Sequence, residues 1–139
     1  LETTGGPKRL KDFAGQHLVL YFYPKDDTPA CTQEALDFSA HEAAFRKAGA
    51  VVLGVSRDPL ARHTRFAAKH SLSVLLGADE AGEVTEAYGV WQEKTLYGRK
   101  YMGIVRSTFL IGPDGRIVRI WPTVKVKGHA EEVLAEIAG

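Results

Sequence analysis

Two short stretches are apolar at nearly every position, Leu18 to Tyr23 and Ala50 to Val55. Each has the length of a strand, and the lack of alternation predicts strands covered on both faces. The first, His17 to Tyr23, stops at Pro24, which cannot extend a ladder. Thr28-Pro29 follows, a favoured N-cap joined to a favoured first helical residue. Helical spacing then places Ala35, Phe38 and Phe45 on one stripe with Leu36, Ala40 and Ala43 beside it, up to a terminating Gly49. The second strand, Ala50 to Ser56, leads into Asp58-Pro59, which reads as another helix start, with the helix running to about His70. Ser73 to Leu76 is a short strand, and Asp79 caps a short helix that ends near Gly89. Residues 90–103, with three tyrosine or tryptophan rings and two glycines, read as a long connection. Val105 to Ile111, the turn Gly112-Pro113-Asp114-Gly115 and Arg116 to Trp121 predict a β-hairpin, and Gly128 to Ala138 a closing helix.

Strands alternating with helices, followed by a hairpin and a helix, imply an α/β fold: a mixed central sheet with helices on both faces. Right-handed crossovers make the early strands parallel and set the hairpin antiparallel at one side. There is no internal repeat, low-complexity tract or linker, so one domain is expected over residues 1–139.

Composition narrows the function classes. No apolar run approaches the roughly 18 residues of a membrane span, and no signal peptide is visible, so no membrane partner is expected. The 18 Lys+Arg nearly balance the 17 Asp+Glu, but unevenly along the chain. Residues 26–93 hold eleven acids and six bases, whereas residues 94–127 hold eight bases and one acid, Asp114. Arg116, Arg119, Lys125 and Lys127, the bases at its end, alternate with apolar residues rather than with aromatic stacking platforms. That is the pattern of the wet face of a hairpin, so nucleic acid is not the expected partner. The single cysteine excludes an internal disulfide and suits a reducing, cytoplasmic setting.

Cys31 falls in the first turn of the first long helix, just after a strand. There α/β sheets place their sites, and the helix N-terminus favours a thiolate. From position alone, a reactive thiol and a small buried hydrophobe are equally good readings. Thr28 reads first as an N-cap, although its hydroxyl could serve a thiolate or a bound oxygen. Pro24 terminates a strand and could also screen the thiol from water. Arg106, at the start of a strand, reads as a surface or ion-pairing group unless other residues give it a site. No histidine pair has the close spacing of a zinc helix, His63 and His70 being seven apart, so neither metal nor cofactor is expected.

Together these residues have a specific meaning. Pro24-Lys25-Asp26-Asp27-Thr28-Pro29-Ala30-Cys31-Thr32 fits the Pro-x-x-x-Thr-x-x-Cys motif of the peroxiredoxins. Leu20-Tyr21-Phe22-Tyr23, Tyr88-Gly89-Val90-Trp91 and the stretch from Gly103 to Ile111 resemble the bacterioferritin comigratory protein (peroxiredoxin Q) branch. The resemblance spans essentially the whole chain. It implies a thioredoxin-like fold and thiol peroxidase activity on hydrogen peroxide and small organic hydroperoxides. It also implies that Cys31 is the peroxidatic thiol, with Pro24, Thr28 and Arg106 completing the site. Many members of this branch carry a resolving cysteine five residues after the first, where this chain has Leu36, or on a later helix. Without one, Cys31 sulfenic acid has to be resolved by an external thiol of thioredoxin, glutaredoxin or glutathione type, in a monomer or weak homodimer. A peroxide-sensing module that uses the same thiol without turnover is the alternative.

Overall fold

The computed structural model describes residues 1–138. Its main sheet has six strands in the order β1 (Glu2–Thr3), β4 (Leu75–Ala78), β3 (Ala50–Ser56), β2 (His17–Phe22), β7 (Ser107–Ile111) and β8 (Ile117–Trp121). β2, β3 and β4 are parallel, β7 runs antiparallel to β2 on one side with β8 antiparallel to β7 at the edge, and β1 pairs antiparallel with β4 on the other. This is the mixed sheet of a thioredoxin-like fold.

The continuous apolar runs arise because β2 is central and covered on both sides. Val19, Tyr21 and Tyr23 pack against α1 (Pro29–Ala40), α2 (Glu42–Lys47), α3 (Leu60–His70) and α5 (His129–Ala138). Leu18, Leu20 and Phe22 face a second cluster with Phe13, Val55, Val90, Ile104 and Phe109, flanked by Val84 of α4 (Glu83–Ala87). Helices thus cover both faces, with the larger share on the Tyr21 side.

Four local readings need correction. The helix expected from Thr28 to Gly49 breaks at His41, where φ is −102° and ψ is 7°. The His41 Nδ1 donates to the Asp37 carbonyl at 2.9 Å, taking the acceptor that the His41 amide needs to continue the helix. Asp58 does not cap α3; its Oδ2 accepts the Ser56 hydroxyl at 2.7 Å and the Asp26 amide at 2.9 Å. The expected long connection over 90–103 is a second sheet, an antiparallel hairpin of β5 (Trp91–Leu96) and β6 (Arg99–Ile104). Its turn places Tyr97 at φ 51° and Gly98 at φ 76°, the left-handed pair that matches the twist of a two-residue hairpin. Finally, β8 is an edge strand whose Ile117, Val118 and Ile120 are exposed, so only Trp121 reaches the core. β1 and the 3₁₀ turn Leu10–Phe13 had no counterpart in the sequence pattern.

Candidate active site

β2 delivers the chain at the C-terminal end of the parallel strands, where residues 24–28 turn it into α1. Pro24 is exposed and ends the strand. Thr28 occupies the N-cap position, but its hydroxyl donates to the Lys25 carbonyl at 2.8 Å and caps no amide of the helix. The turn therefore fastens to itself. Pro29 has no N–H, which leaves the amides of Ala30 and Cys31 as the free donors of the first turn.

Cys31 is the third residue of α1 and only 2% exposed. Arg106 enters from the residue before β7, its carbonyl accepting the Val124 amide at 2.9 Å. Its guanidinium donates through Nη2 to Cys31 Sγ at 3.2 Å and through Nη1 to Glu34 Oε1 at 2.6 Å. Cys31 and Glu34 are one helical turn apart on one face of α1, so a single planar group engages both. Burial works against the charge on Arg106, but Glu34 and Cys31 outweigh it and raise the guanidinium pKa.

Glu34 is the site residue that sequence reasoning missed. Its side chain is 1% exposed, and Oε2 has no hydrogen-bond partner. Burial pushes its pKa up to about 7 despite the attraction of Arg106. The spacing of three from Cys31 was the available signal. Behind Glu34 lies the Tyr21 hydroxyl, also buried without a partner. Burial first, then the negative charges of Glu34 and Cys31, raise its pKa well above the ordinary tyrosine value.

A second buried network holds the loop. The Tyr23 hydroxyl donates to Asp26 Oδ1 at 2.5 Å, and His63 Nδ1 lies 2.6 Å from Asp26 Oδ2. His63 Nε2 donates to the Gly77 carbonyl at 2.9 Å, so that nitrogen carries a proton. Asp26 and His63 are both fully buried. Asp26, Asp58 and His63 converge closely enough to suggest metal ligands. Their donor set does not fit that role. Both His63 nitrogens are engaged, and Asp58 accepts two hydrogen bonds while its other oxygen faces Arg62 Nε at 3.6 Å. The cluster is a hydrogen-bonded latch joining loop 24–28 to α3 and β4. His70, the other histidine of α3, pairs with Asp27 instead, at 2.9 Å.

The structure thus brings Cys31 and Arg106 into contact, sets Thr28 at the start of the same helical turn and leaves Pro24 at the surface. A buried thiol held against a guanidinium at the first turn of a helix, on this sheet, defines a thiol-dependent peroxidase. The AhpC/TSA family profile matches residues 1–120. The chain is 47% identical to peroxiredoxin Bcp of Bacillus subtilis over 94% of its own length and 83% of that protein. It is 48% identical to peroxiredoxin Bcp of Xanthomonas campestris, over 99% and 86%. Among solved structures, peroxiredoxin Q of Xanthomonas campestris superposes with a TM-score of 0.94 at 47% identity, covering 99% of this chain and 88% of that one. The chain belongs to the AhpC/TSA family, in its Bcp and peroxiredoxin Q branch. Its single cysteine sets it apart from members with a resolving thiol.

Proposed function

We propose that this chain, as a single domain, reduces hydrogen peroxide and small organic hydroperoxides by a one-Cys mechanism at Cys31. The observation that carries the reading is the Arg106 Nη2 contact to the sulfur of the only cysteine, at 3.2 Å. Structures of a Xanthomonas campestris bacterioferritin comigratory protein that concern its alkyl peroxide reduction activity, with a TM-score of 0.94, support organic hydroperoxides as substrates.

The Cys31 thiolate attacks one peroxide oxygen, an S–O bond forms, and the O–O bond breaks. Sulfur loses two electrons to the departing oxygen, which takes up a proton and leaves as water or an alcohol. Complete ionisation of an ordinary thiol at pH 7 gains only about thirty-fold, so most of the acceleration comes from orienting the peroxide and stabilising the leaving oxygen. Arg106 can do both from beside the sulfur, and the Ala30 and Cys31 amides add donors. Because the Thr28 hydroxyl spends its proton on the Lys25 carbonyl, its lone pairs are free to accept the peroxide O–H. Pro24 ends β2 so that the loop turns toward the thiol.

With no second thiol in the chain, the sulfenic acid is reduced by an external thiol of glutathione, glutaredoxin or thioredoxin type, in a reducing, cytoplasmic setting. The protein works as a monomer or weak homodimer. Mass spectrometry after one equivalent of peroxide tests this directly. A gain of one oxygen, converted by excess small thiol into a mixed disulfide, is expected, with repeated turnover when reductant is supplied. Oxidation that stalls after one event identifies a sensor instead. Turnover by a folded Cys31→Ser protein removes the assignment altogether.

A further inference from the structure

The β5–β6 hairpin, whose second strand leads into Arg106, carries one half-buried charged side chain. Of its charged residues, Glu93, Arg99 and Lys100 are exposed, while Lys94 is half-buried. Glu93 and Lys100 face each other at 3.9 Å. Lys94 pairs across the hairpin with Tyr101, and Gln92 pairs with Gly103, so Lys94, Tyr101 and Gly103 share one face. A Cβ on Gly103 would stand 3.2 Å from Lys94 Cδ and 3.3 Å from Tyr101 Cε2. The missing side chain is therefore the floor across which the lysine stem runs toward the base of the hairpin. That base is fixed beside the site, because the Val105 amide donates to the Val90 carbonyl at 2.8 Å and Arg106 follows directly.

The ammonium senses the site electrostatically. Burial and then the Arg106 charge lower the Lys94 pKa, while the negative charge of Cys31 opposes them. Among the described residues no carboxylate lies within 4.0 Å of it, since Glu34 is engaged by Arg106 and Glu93 by Lys100. A half-desolvated cation without a counter-ion, beside a site that handles small oxygen compounds, suits a negative group on the substrate. Tyr101 and Leu96 lie on the same face, 47% and 55% exposed, and offer an apolar rest for a carbon body.

We propose that Lys94 is a specificity-determining residue of the peroxide site, whose ammonium receives the carboxylate of a hydroperoxy acid in which the two functional groups are only a few bonds apart. The inference rests on Cys31 being the peroxidatic thiol. The carboxylate stays unchanged through the reaction. The thiolate forms its S–O bond, the O–O bond breaks, and the alkoxide oxygen takes up a proton to give the hydroxy acid.

The test compares a short-chain hydroperoxy acid with its own methyl ester, matched in shape and differing by one charge, in single-turnover oxidation of Cys31. The acid-to-ester rate ratio cancels any effect of Lys94 on the thiolate itself. Lys94→Met keeps the apolar stem over Gly103 and should lower that ratio about tenfold, with Lys94→Arg recovering most of it. Added salt should lower the ratio in the parent protein and leave it unchanged in Lys94→Met. An equal ratio in parent and Lys94→Met, or an equal slowing of acid and ester, overturns the proposal. If hydrogen peroxide, acid and ester all fail to oxidise Cys31 in the parent, the peroxidase reading itself has failed.

Discussion

Glu34→Gln separates the two things that the buried carboxylate does. A carboxyl whose pKa rises from 4.5 unfolded to about 7 folded binds its proton more tightly in the native state. Its contribution to stability is therefore fully present below about pH 4.5 and lost as the pH climbs through 7. Linkage over that interval gives a loss of about 3 kcal/mol, of which 2 to 3 kcal/mol falls between pH 5 and pH 8. Glutamine cannot ionise, so the variant lacks this slope. Its amide nitrogen would occupy the place of the unpartnered Oε2, which costs about 1–3 kcal/mol at every pH. The diagnostic is thus the change with pH in the difference between the two proteins. Urea denaturation of both under reducing conditions, at pH 5 and pH 8, should show Glu34→Gln gaining about 2 kcal/mol on the parent. The same substitution removes the anionic anchor of Arg106 and should slow Cys31 oxidation about tenfold, loss of one charged hydrogen bond being enough. A stability difference that stays constant from pH 5 to pH 8 refutes the reasoning, because Glu34 would then titrate alike in folded and unfolded chains.

Arg106→Ala removes the cation that donates to Sγ, so the peroxide rate should fall even where the thiol is fully ionised; Arg106→Lys should restore only part of the rate, because a compact ammonium lacks the planar fork that reaches Sγ and Glu34 together. An unchanged rate in Arg106→Ala would make the arginine purely structural. Thr28→Val loses the hydroxyl bond to the Lys25 carbonyl and should cost about 1 kcal/mol in urea unfolding together with a slower peroxide step, whereas a slower step without any stability change would separate the hydroxyl's two roles. Asp26→Asn breaks the Tyr23–Asp26–His63 latch and should destabilise by about 3–5 kcal/mol, with faster alkylation of Cys31 at neutral pH as the loop opens; equal alkylation rates would show that the latch does not hold the loop.

The sheet was legible because burial on both faces leaves continuous apolar runs, and only a central parallel strand needs them. The hairpin at 91–104 was not. Its turn places Tyr97 where asparagine or glycine would announce a left-handed residue, and its outward faces carry the tyrosines and charges of a loop. The helix break at His41 was hidden for a related reason, since a side chain that competes for a backbone carbonyl leaves no trace in hydrophobic periodicity. Within the site, Cys31 stood out by its position after a strand. Arg106 carried meaning only through the family motif, because a lone arginine at a strand start reads as surface. Glu34 was passed over because a carboxylate on a helix defaults to solvent. Its partner lies 72 residues away, a relation that only the folded sheet creates.

The site that activates Cys31 also hides it, and the two facts constrain how the cycle can close. Cys31 is only 2% exposed, so a bulky thiol has less room to approach it than a small peroxide has. In the proposed one-Cys cycle the first turn of α1 has to open for an external thiol, and it is lightly built. Thr28 caps no amide, Pro29 supplies none, and Pro29, Ala30 and Gln33 are exposed. Among the contacts that hold it are Arg106 to Sγ, Arg106 to Glu34, and the Asp26 latch behind the loop. The first of these depends on the charge of the sulfur. A thiolate draws the guanidinium by attraction between opposite charges, and a neutral sulfenic acid offers it a hydrogen bond without that attraction. Oxidation therefore loosens the contact that kept the turn closed, at the step when an external thiol has to reach Cys31. In that proposed cycle Leu36 stands where a nearby cysteine would compete for the opened sulfur, so access by the external thiol would decide between turnover and the sulfinic acid.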